Sequence, residues 1–344
     1  MRLHKPYRII SVKPDSLITG SSRAGRLPPE PMAQDHGRAY NAAIPGATLY
    51  EILRTIEHAH SVEPLRRVLL GVDYAMFRRN QATTLTGFAD DRLFRRDPTP
   101  GDHLRFHWQR FLDTWNTLFS RGALTASINS ARGLRLSKRD FFGNGTWSSG
   151  FNREEKPRVY AMLSKQKYTE FSRDDGNLDF SGLEQIMRFC EEHGIEMTLL
   201  LSPSHAHLMT AIARAGGWPH YIDYQREVVE RAARFRDRGV DIRVFGAEHN
   251  RALVQEAPDA ARDWFRDGIH YSLGTGANLV QCIYGNPSTC EPDRAPVELN
   301  RDNIDGYLAE IDRQRETYRT RRPGWYRKLD RQLKALQNSP PAAE

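Results

Sequence analysis

The hydrophobic positions of this chain fall into short apolar runs that alternate with amphipathic stretches, a pattern that predicts strands separated by helices. The first apolar run predicts a buried strand over residues 13–20, and later runs predict strands over 39–44 and 65–71. A helix is predicted to begin after Thr48, because the Thr48 side chain can cap it. Glu51 follows three residues later and completes a capping-box pattern.

The same alternation returns in the second half of the chain, from about residue 180. Gly194 is a typical residue to end a helix, because glycine adopts the left-handed conformation without strain. The pattern predicts helices over 180–193, 207–215, 221–238 and 273–284, and strands over 195–201 and 240–245. A charged helix is predicted from residue 303, with an interruption at Pro323. Strands separated by helices predict an α/β three-layer sandwich with a mostly parallel central sheet.

The stretch between these two halves interrupts the alternation. It is rich in Arg, Phe, Trp and Gly, and it predicts a large inserted subdomain, helical or lid-like, over residues 75–174. The rest of the chain is expected to form a discontinuous α/β domain from residues 1–74 and 175–300. A basic C-terminal helix and tail are expected over residues 301–344.

The composition is typical of a globular protein with one large domain or two smaller ones, with 344 residues, 39% hydrophobic and 27% charged. No apolar run is long enough to cross a membrane, so no transmembrane segment is expected. The N-terminal residues carry charge but lack an apolar segment of the length that a signal peptide needs. The sequence as written therefore predicts a cytoplasmic protein, unless an upstream export segment is missing from it.

The net charge is +7, and much of the excess lies near the C-terminus. The basic residues there include Arg319, Arg321, Arg322, Arg327, Lys328 and Arg331. Such a cluster can attract phosphates or anionic lipid, but a solvated helical face is the preferred interpretation. Nucleic acid is not an expected partner, because no recognisable nucleic-acid-binding module accompanies the cluster.

The three cysteines are Cys190, Cys282 and Cys290, and their odd number excludes a fully paired disulfide framework. Cys282 and Cys290 can pair across a short loop if the protein meets an oxidising compartment. Cys190 lies in an apolar helical pattern and is expected to be a core residue.

A serine and an Asp-x-x-His segment supply the parts of a serine hydrolase centre. Ser22 follows the first predicted strand in the turn Gly20-Ser21-Ser22, and open α/β sheets place their sites at the carboxyl ends of strands. A following helix would aim free N–H groups at negative charge that develops there. Asp267 and His270 stand three residues apart, so one turn can point both side chains the same way. Each segment alone is also typical of a helix cap, but the two together favour a nucleophile, a base and an orienting carboxylate.

Four segments together resemble the blocks of the SGNH (GDSL-type) hydrolase superfamily. They are Gly20-Ser21-Ser22, with Ser21 where many members have Asp, and then Asn41 to Gly46, Gly71-Val72-Asp73 and Asp267 to His270. The alignable parts of the chain are residues 13–74 and 180–285. The resemblance implies an SGNH-type, flavodoxin-like α/β fold.

By this resemblance Ser22 is the nucleophile, His270 the general base and Asp267 its orienting partner. The backbone N–H groups of Ser22 and Gly46 are implied to form the oxyanion hole, which in the family also includes the position of Asp73. Within the superfamily, the Gly-Ser-Ser start resembles branches that act in bacterial cell-surface polysaccharide acylation, such as alginate O-acetylation proteins.

Asp73 departs from the family pattern, which has Asn at this position as a donor to the oxyanion. An ionised carboxylate has no proton to give and repels a developing oxyanion. Three alternatives follow: burial keeps Asp73 protonated, another donor such as Asn80 or Asn144 replaces it, or the hydrolytic centre is weak or lost.

The remaining histidines give weaker indications of a functional site. None stands in a His-Glu-x-x-His pattern or beside a cysteine set, and neither a Walker A loop nor Gly-x-Gly-x-x-Gly occurs, so no metal and no organic cofactor is expected. His205 is the exception, because it follows an apolar strand at the presumed active edge of the sheet. Two roles are open for it, contact with substrate and a structural role.

The leading hypothesis is a serine esterase or O-acyltransferase that acts on an acyl ester, often an acetyl group on a carbohydrate. The expected partner is then a small-molecule or carbohydrate ester substrate. The second hypothesis is a catalytically weak or inactive SGNH-like protein in a cell-surface polysaccharide assembly complex, with cell-envelope proteins as partners. A basic protein that binds nucleic acid or a membrane surface through its C-terminal helix ranks third.

Overall fold

The computed structural model of the protein describes residues 1–33, 37–78, 82–94, 99–132, 139–149, 156–172, 176–258 and 264–337. The strands are β1 (Ser16–Gly20), β2 (Ala39–Asn41), β3 (Arg67–Val72), β4 (Arg139–Phe141), β5 (Trp147–Ser149), β6 (Glu196–Leu201), β7 (Ile242–Gly246) and β8 (Val297–Leu299). The helices are α1 (His4–Val12), α2 (Leu49–Val62), α3 (Pro100–Leu118), α4 (Arg121–Ala131), α5 (Lys156–Ser172), α6 (Ser181–His193), α7 (Ala206–Arg214), α8 (Trp218–Arg236), α9 (Arg251–Val254), α10 (Leu273–Tyr284), α11 (Ile304–Arg321) and α12 (Pro323–Gln337).

Six strands form the central sheet, in the order β2-β1-β3-β6-β7-β8. The first five are parallel to one another, and β8 is antiparallel to β7. The predicted α/β fold with a mostly parallel sheet is therefore confirmed. The chain passes from β1 to β2 on one side and then to β3 on the other, so the carboxyl ends of β1 and β3 flank the point where the strand order reverses.

The central strands are buried on both faces. All five residues of β1 are buried, as are five of the six in β3 and in β6. Successive side chains of a strand point to opposite faces, so a strand that is buried throughout must be covered on both sides. Helix α10 contributes to this cover, because its Tyr284 hydroxyl donates to Thr198 of β6 at 2.7 Å.

Several local predictions agree closely with the structure. Thr48 caps α2, with the Glu51 backbone N–H donating to its Oγ1 at 3.2 Å and the Glu51 carboxylate accepting from the Thr48 N–H at 3.4 Å. Gly194 ends α6 at φ 62°. Helix α10 has the predicted bounds. These features depend on neighbours within a few residues, which the sequence displays directly.

The N-terminal prediction was wrong in part. The first element is the helix α1, which no prediction included, and β1 begins at Ser16 rather than at residue 13. Lys13 closes α1 in the left-handed conformation, φ 52°, with its N–H bonded to the Ile9 carbonyl. β8, a three-residue strand, was also missed.

Strand β2 is shorter than predicted, but the chain beyond it stays bound to β1. The N–H of Ala42 donates to the Ile18 carbonyl at 2.7 Å, and the N–H of Ile44 donates to the Gly20 carbonyl at 3.0 Å. These bonds carry the segment that leads to Gly46 alongside the end of β1.

Residues 75–174 contain α3, α4, the β4-β5 hairpin and α5 within their described parts. The hairpin loop is bound to β2 and to α1, because the Asn41 N–H donates to the Asn144 carbonyl at 2.9 Å and Lys5 Nζ donates to the Gly145 carbonyl at 2.6 Å. α5 packs against α7 and α12. This segment therefore contacts the α/β domain at separate places along its length.

The C-terminal segment is divided at Arg322 into α11 and α12, close to the predicted interruption at Pro323. One face of the basic helix α12 is buried, since Leu329 and Leu333 pack with Ala211 and Tyr168. No helix within the described ranges combines the length and the apolar composition that crossing a bilayer requires.

Cys282 and Cys290 form a disulfide between the end of α10 and the loop that follows it. Cys190 is a buried free thiol, as its helical pattern predicted. Burial raises the pKa of the Cys190 thiol to about 12.

Candidate active site

The turn after β1 is held against the end of β3. Gly20 has φ 135°, and a Cβ there would lie 2.6 Å from the Gly71 carbonyl oxygen and 2.9 Å from Ala24 Cβ. Only glycine satisfies both the conformation and this close approach. Ser21 and Ser22 follow at once, so the glycine sets where the serine side chains stand.

The helix after Ser22 differs from the expectation. It is a single 3-10 turn, Ala24–Arg26, rather than a longer helix whose N-terminus points at the serine. A turn this short has little macrodipole, because that dipole is the sum over many aligned peptide units. The expected stabilisation of negative charge at Ser22 by a helix dipole is therefore not supported by this turn.

The structure brings Ser22, His270 and Asp267 together across almost 250 residues of sequence. Ser22 Oγ lies 2.7 Å from His270 Nε2. His270 Nδ1 lies 2.9 Å from Asp267 Oδ2 and 3.1 Å from Asp267 Oδ1. These separations lie within the range for a nucleophile, its base and an orienting carboxylate.

Asp267 is ionised by its surroundings although it is only 2% exposed. Burial by itself would raise the pKa of Asp267, but the charge and hydrogen bonds of His270, with the N–H of Ile269, outweigh burial and leave that pKa below its usual value. Asp267 Oδ1 accepts from the backbone N–H groups of Ile269 at 2.8 Å and His270 at 2.7 Å. A carboxylate fixed in this way accepts the Nδ1–H of His270 and leaves Nε2 free to accept from Ser22.

The segment that carries His270 is anchored on both sides. The Arg266 N–H donates to the His270 carbonyl at 2.8 Å, and Phe265 pairs with Tyr271. The carboxylate of Glu256 accepts from the Phe265 N–H at 3.0 Å. These contacts fix the turn that carries the His270 imidazole at the edge of the sheet.

The Asp73 carboxylate accepts hydrogen bonds from two side chains. Its Oδ2 accepts from the Ser21 hydroxyl, and its Oδ1 accepts from Arg23 Nη1 at 2.8 Å. An Asp73 that donates to an oxyanion does not fit this arrangement, because both of its carboxylate oxygens already accept hydrogen bonds within the protein. Asp73 therefore accepts hydrogen bonds at the position where the SGNH pattern has a donor.

Asn144 does not replace Asp73 as a donor at this edge. Asn144 Nδ2 donates to Glu30 Oε1 at 2.5 Å, and its Oδ1 accepts from the Thr146 N–H at 2.9 Å, so its side chain belongs to the hairpin loop. Asn80 lies outside the described residues. The expectation for Asn144 was therefore wrong.

Arg23 extends the polar cluster to the end of β6. Its Nη2 donates to the Ser202 carbonyl at 2.6 Å and to Ser204 Oγ at 3.0 Å. Burial would lower the pKa of the guanidinium, but the negative charge of Asp73 beside it leaves that pKa above its usual value. Sequence reasoning missed Arg23, because a basic residue after the serine looks like any surface arginine until its burial is known.

Glu248 completes the cluster behind Ser204. Its carboxylate accepts from the Ser204 N–H at 2.6 Å, from Gln225 Nε2 at 3.0 Å and from the Tyr221 hydroxyl at 2.5 Å. Complete burial raises the pKa of Glu248 above its usual value, although these hydrogen bonds oppose the rise. Glu248 follows β7 by two positions, so the sequence alone could have placed it at the carboxyl edge of the sheet.

A cavity of about 170 Å³ opens beside Ser22. The Gly46 loop forms part of its wall, with Gly46 in the left-handed conformation at φ 63°. The lining combines polar side chains with an apolar group: Ser21, Ser22, Arg23, Asp73, Lys167, Ser204, Tyr221, Met76, Phe171, Leu208, Ile212 and Ile269. The space can hold a small group against the serine.

His205 has structural contacts. It is fully buried, its Nδ1 accepts from the His207 N–H at 3.0 Å, and its Nε2 donates to the Glu256 carbonyl at 2.6 Å. It caps α7 and packs edge-on against Tyr160. The expectation that His205 contacts substrate was therefore wrong, because both ring nitrogens are bonded within the protein and the ring has no exposed surface.

No protein-family model matches this chain, and no curated protein sequence matches it. Among the described residues, no cluster of three or more His, Cys, Asp or Glu side chains is arranged to hold a metal ion.

Proposed function

We propose that the protein is a serine esterase or O-acyltransferase of the SGNH (GDSL) type, acting on an O-acyl ester, above all an acetyl ester of a carbohydrate. The observation that carries the proposal is the hydrogen-bonded chain from Ser22 through His270 to Asp267. It stands beside a small cavity and follows the carboxyl end of a central parallel strand. Open α/β sheets place their ligands at that edge.

In the proposed reaction, Ser22 Oγ attacks the ester carbonyl while His270 Nε2 accepts the serine proton. The tetrahedral intermediate collapses, and His270 returns the proton to the leaving alkoxide, so an acyl-enzyme and a free alcohol result. Water, or a sugar hydroxyl in a transferase, then attacks the acyl-enzyme with His270 again as base and releases Ser22. Asp267 stays ionised throughout and stabilises the imidazolium.

The backbone N–H groups of Ser22 and Gly46 are proposed to bind the oxyanion. Two features support this role: Gly46 lines the same cavity as Ser22, and the Ile44 bond to Gly20 holds its loop beside the serine turn. Asp73 contributes no donor, because Ser21 and Arg23 bond its carboxylate. One missing donor costs about 3–4 kcal/mol of transition-state stabilisation, so we expect a slow enzyme rather than an inert one.

The sheet order also supports the SGNH-type assignment. The β4-β5 hairpin is a separate sheet, so it is left out of the comparison. The first five strands of the central sheet, β2-β1-β3-β6-β7, then have the order of the flavodoxin-like, doubly wound class, and β8 is an additional edge strand. The serine turn follows β1 and Asp73 follows β3, the two strands that flank the reversal. On this proposal the hairpin and the helices of residues 75–174 are insertions into that fold.

The test combines a fluorophosphonate probe, which labels activated serines, with release of acetate from p-nitrophenyl acetate. We expect slow turnover and labelling by the wild type, and loss of both in Ser22→Ala and His270→Ala. Ser61→Ala and His107→Ala are matched controls, because both side chains are exposed away from the cavity. Labelling that persists in Ser22→Ala, or a wild type that is inert to both reagents, would exclude the proposal.

A second candidate is a non-catalytic SGNH-like protein that binds polysaccharide in an assembly complex. The occupied carboxylate of Asp73 favours it, since an anion stands where the family places a donor. Its signature is a wild type without turnover that binds an acetylated oligosaccharide, with the same affinity in Ser22→Ala. Isothermal titration calorimetry with both proteins distinguishes the two candidates.

A further inference from the structure

Helices α3 and α4 expose a group of large apolar side chains. In α3 the exposed residues recur at intervals of four and three, which places them on one side of the helix. The fractions of their surface that remain exposed range from 44% to 72%, far above the values for core residues. The face, called here the aromatic face, consists of Leu104, Trp108, Phe111, Trp115, Leu118, Phe119, Leu124 and Ile128.

The rings of this face touch one another along α3. The centroids of Trp108 and Phe111 are 5.7 Å apart, those of Phe111 and Trp115 are 6.1 Å apart, and those of Trp115 and Phe119 are 4.4 Å apart. Exposed apolar residues are usually scattered singly on a monomer. A connected row of exposed aromatic rings is instead typical of an interaction surface.

The opposite side of α3 already holds the helix on the protein. Phe106 is buried against Phe94, with ring centroids 4.5 Å apart, and Asp113 accepts from the Tyr7 hydroxyl at 2.7 Å and from Arg92 Nε at 2.6 Å. The inward side therefore combines one buried ring with a buried ion pair. The aromatic face lies on the other side of α3 from these contacts.

The exposed charges beside the aromatic face are positive. The described segment 99–132 contains four arginines, no lysine and no glutamate, and its aspartates are Asp102 and Asp113. Asp113 is buried in its pair with Arg92, whereas Asp102 caps α3 through Thr99 and lies 3.9 Å from the Arg105 guanidinium. The arginines are all exposed: Arg105, Arg110, Arg121 and Arg132.

We propose that α3 and α4 bind the surface of an anionic phospholipid bilayer, with the aromatic face in the headgroup region. Tryptophan and other amphipathic rings concentrate at the boundary between water and hydrocarbon, and helices with an apolar side and flanking arginines lie in that plane. The exposed guanidinium groups match lipid phosphates in charge and geometry. A protein partner would need a complementary acidic rim around an apolar groove, whereas an anionic bilayer supplies both features over any area.

Helix α3 also lies close to the loop that carries Gly46. The C-terminal half of α3 shares a cleft with the loop that carries Gly46, because Asn116, Thr117 and Pro45 line it together. Bilayer binding does not depend on the proposed esterase activity, since no residue of the aromatic face belongs to the serine centre.

The test is co-sedimentation of the full chain with vesicles of phosphatidylcholine alone and of an equal mixture of phosphatidylcholine and phosphatidylglycerol. We expect the wild type to sediment with the anionic vesicles and its tryptophan emission to shift to shorter wavelength. The double variant Trp108→Ser, Trp115→Ser should bind at least about tenfold more weakly. Arg110→Gln and Arg121→Gln should each lower the affinity for anionic vesicles about fivefold.

Matched controls lie on α12, which is also a basic helix. Trp325→Ser, Arg327→Gln and Lys328→Gln should retain wild-type binding, and circular dichroism should show all variants folded because every changed side chain is partly or fully exposed. The proposal is overturned if the wild type fails to sediment, or if the α12 variants lose as much binding as the α3 variants. It is also overturned if light scattering shows a dimer that needs Trp108 and Trp115 while no vesicle binding occurs, because a second copy then covers the face.

Discussion

Arg23 and Asp73 form a buried ion pair, with Arg23 Nη1 2.8 Å from Asp73 Oδ1 and both side chains less than a tenth exposed. The other guanidinium nitrogen, Nη2, bonds Ser202 and Ser204. One arginine therefore ties the turn after β1 to the residues that follow β3 and β6. This single charge therefore bridges three strand ends beside the cavity, in addition to the hydrogen bonds of the sheet.

Loss of the Asp73 charge is expected to destabilise the fold. In Asp73→Asn the buried guanidinium loses its counter-charge, and a buried pair broken in this way typically costs about 3–5 kcal/mol. Urea unfolding of the purified variant measures the loss. The exposed pair of Asp305 with Arg226 gives the control, since Asp305→Asn should cost less than about 1 kcal/mol.

The same pair makes a prediction about coupling. In the double variant Arg23→Met, Asp73→Asn neither member of the pair is left without its partner charge, so its loss of stability should be clearly smaller than the sum of the two single losses. A double-mutant cycle from urea unfolding gives the coupling free energy. Strictly additive losses would show that the two groups do not stabilise each other.

The orienting role of Asp267 is expected to appear in turnover. Asp267→Asn keeps an oxygen for the N–H groups of Ile269 and His270 but presents an amide that favours the wrong imidazole tautomer. We expect kcat for p-nitrophenyl acetate to fall about 10³–10⁴-fold with KM little changed. Asp302→Asn, at an exposed position, is the control. A fall of less than about tenfold would remove Asp267 from the proposed centre.

The cavity makes a prediction about acyl size. Ile212 is buried in its wall, and Ile212→Ala removes methyl and methylene groups from the space beside Ser22. Each methylene discriminated by an apolar pocket corresponds to about 1–3 kcal/mol, so the ratio of kcat/KM for the butyryl and acetyl esters should rise about tenfold or more. Ile222→Ala, away from the cavity, should leave the ratio unchanged, and a ratio that is also unchanged in Ile212→Ala would place the acyl group elsewhere.

Two buried histidines predict how stability depends on pH. Burial lowers the pKa of His58 to about 4 and that of His207 to about 3. In the unfolded chain these imidazoles take up protons near pH 6.5, while the folded protein keeps them neutral. The free energy of unfolding is therefore fully retained above about pH 6.5 and falls as the pH drops toward about 4, by up to about 1.4 kcal/mol per pH unit for each histidine.

The measurement is urea unfolding at a series of pH values. His58→Gln should give a shallower dependence than the wild type, because its amide takes up no proton in either state. His107→Gln changes an exposed side chain and should reproduce the wild-type slope. Equal slopes for all three proteins would mean that His58 is not held neutral by burial.

The three cysteines are expected to differ in their reactivity toward thiol reagents. Cys282 and Cys290 are joined and Cys190 is buried, with a pKa near 12. Titration with Ellman's reagent should find no reactive thiol in the folded protein, about one after denaturation without reductant, and about three after denaturation and reduction. Cys190→Ala should remove the unreduced signal, whereas three thiols without reductant would contradict the disulfide.

Much of the local structure was readable from the sequence. The capping box at Thr48, the glycine that ends α6 and the bounds of α10 follow from side chains a few residues apart. Asp267 and His270 also stand within one turn, so their pairing needs no distant contact. The alternation of apolar runs and amphipathic stretches indicated the mostly parallel sheet, because that pattern reports which positions are buried.

Only the tertiary structure decided the partners of residues far apart in sequence. The pairing of Arg23 with Asp73, the burial of His205 and the position of Asn144 in the hairpin loop depend on strand register and on which elements meet. The apolar periodicity of α3 was present in the sequence, but such a pattern normally predicts an inward face. Here the buried pair of Asp113 with Arg92 and the ring of Phe106 turned the other side inward. Local pattern determines what a helix or strand can bury, and the packing of distant elements determines what it does bury.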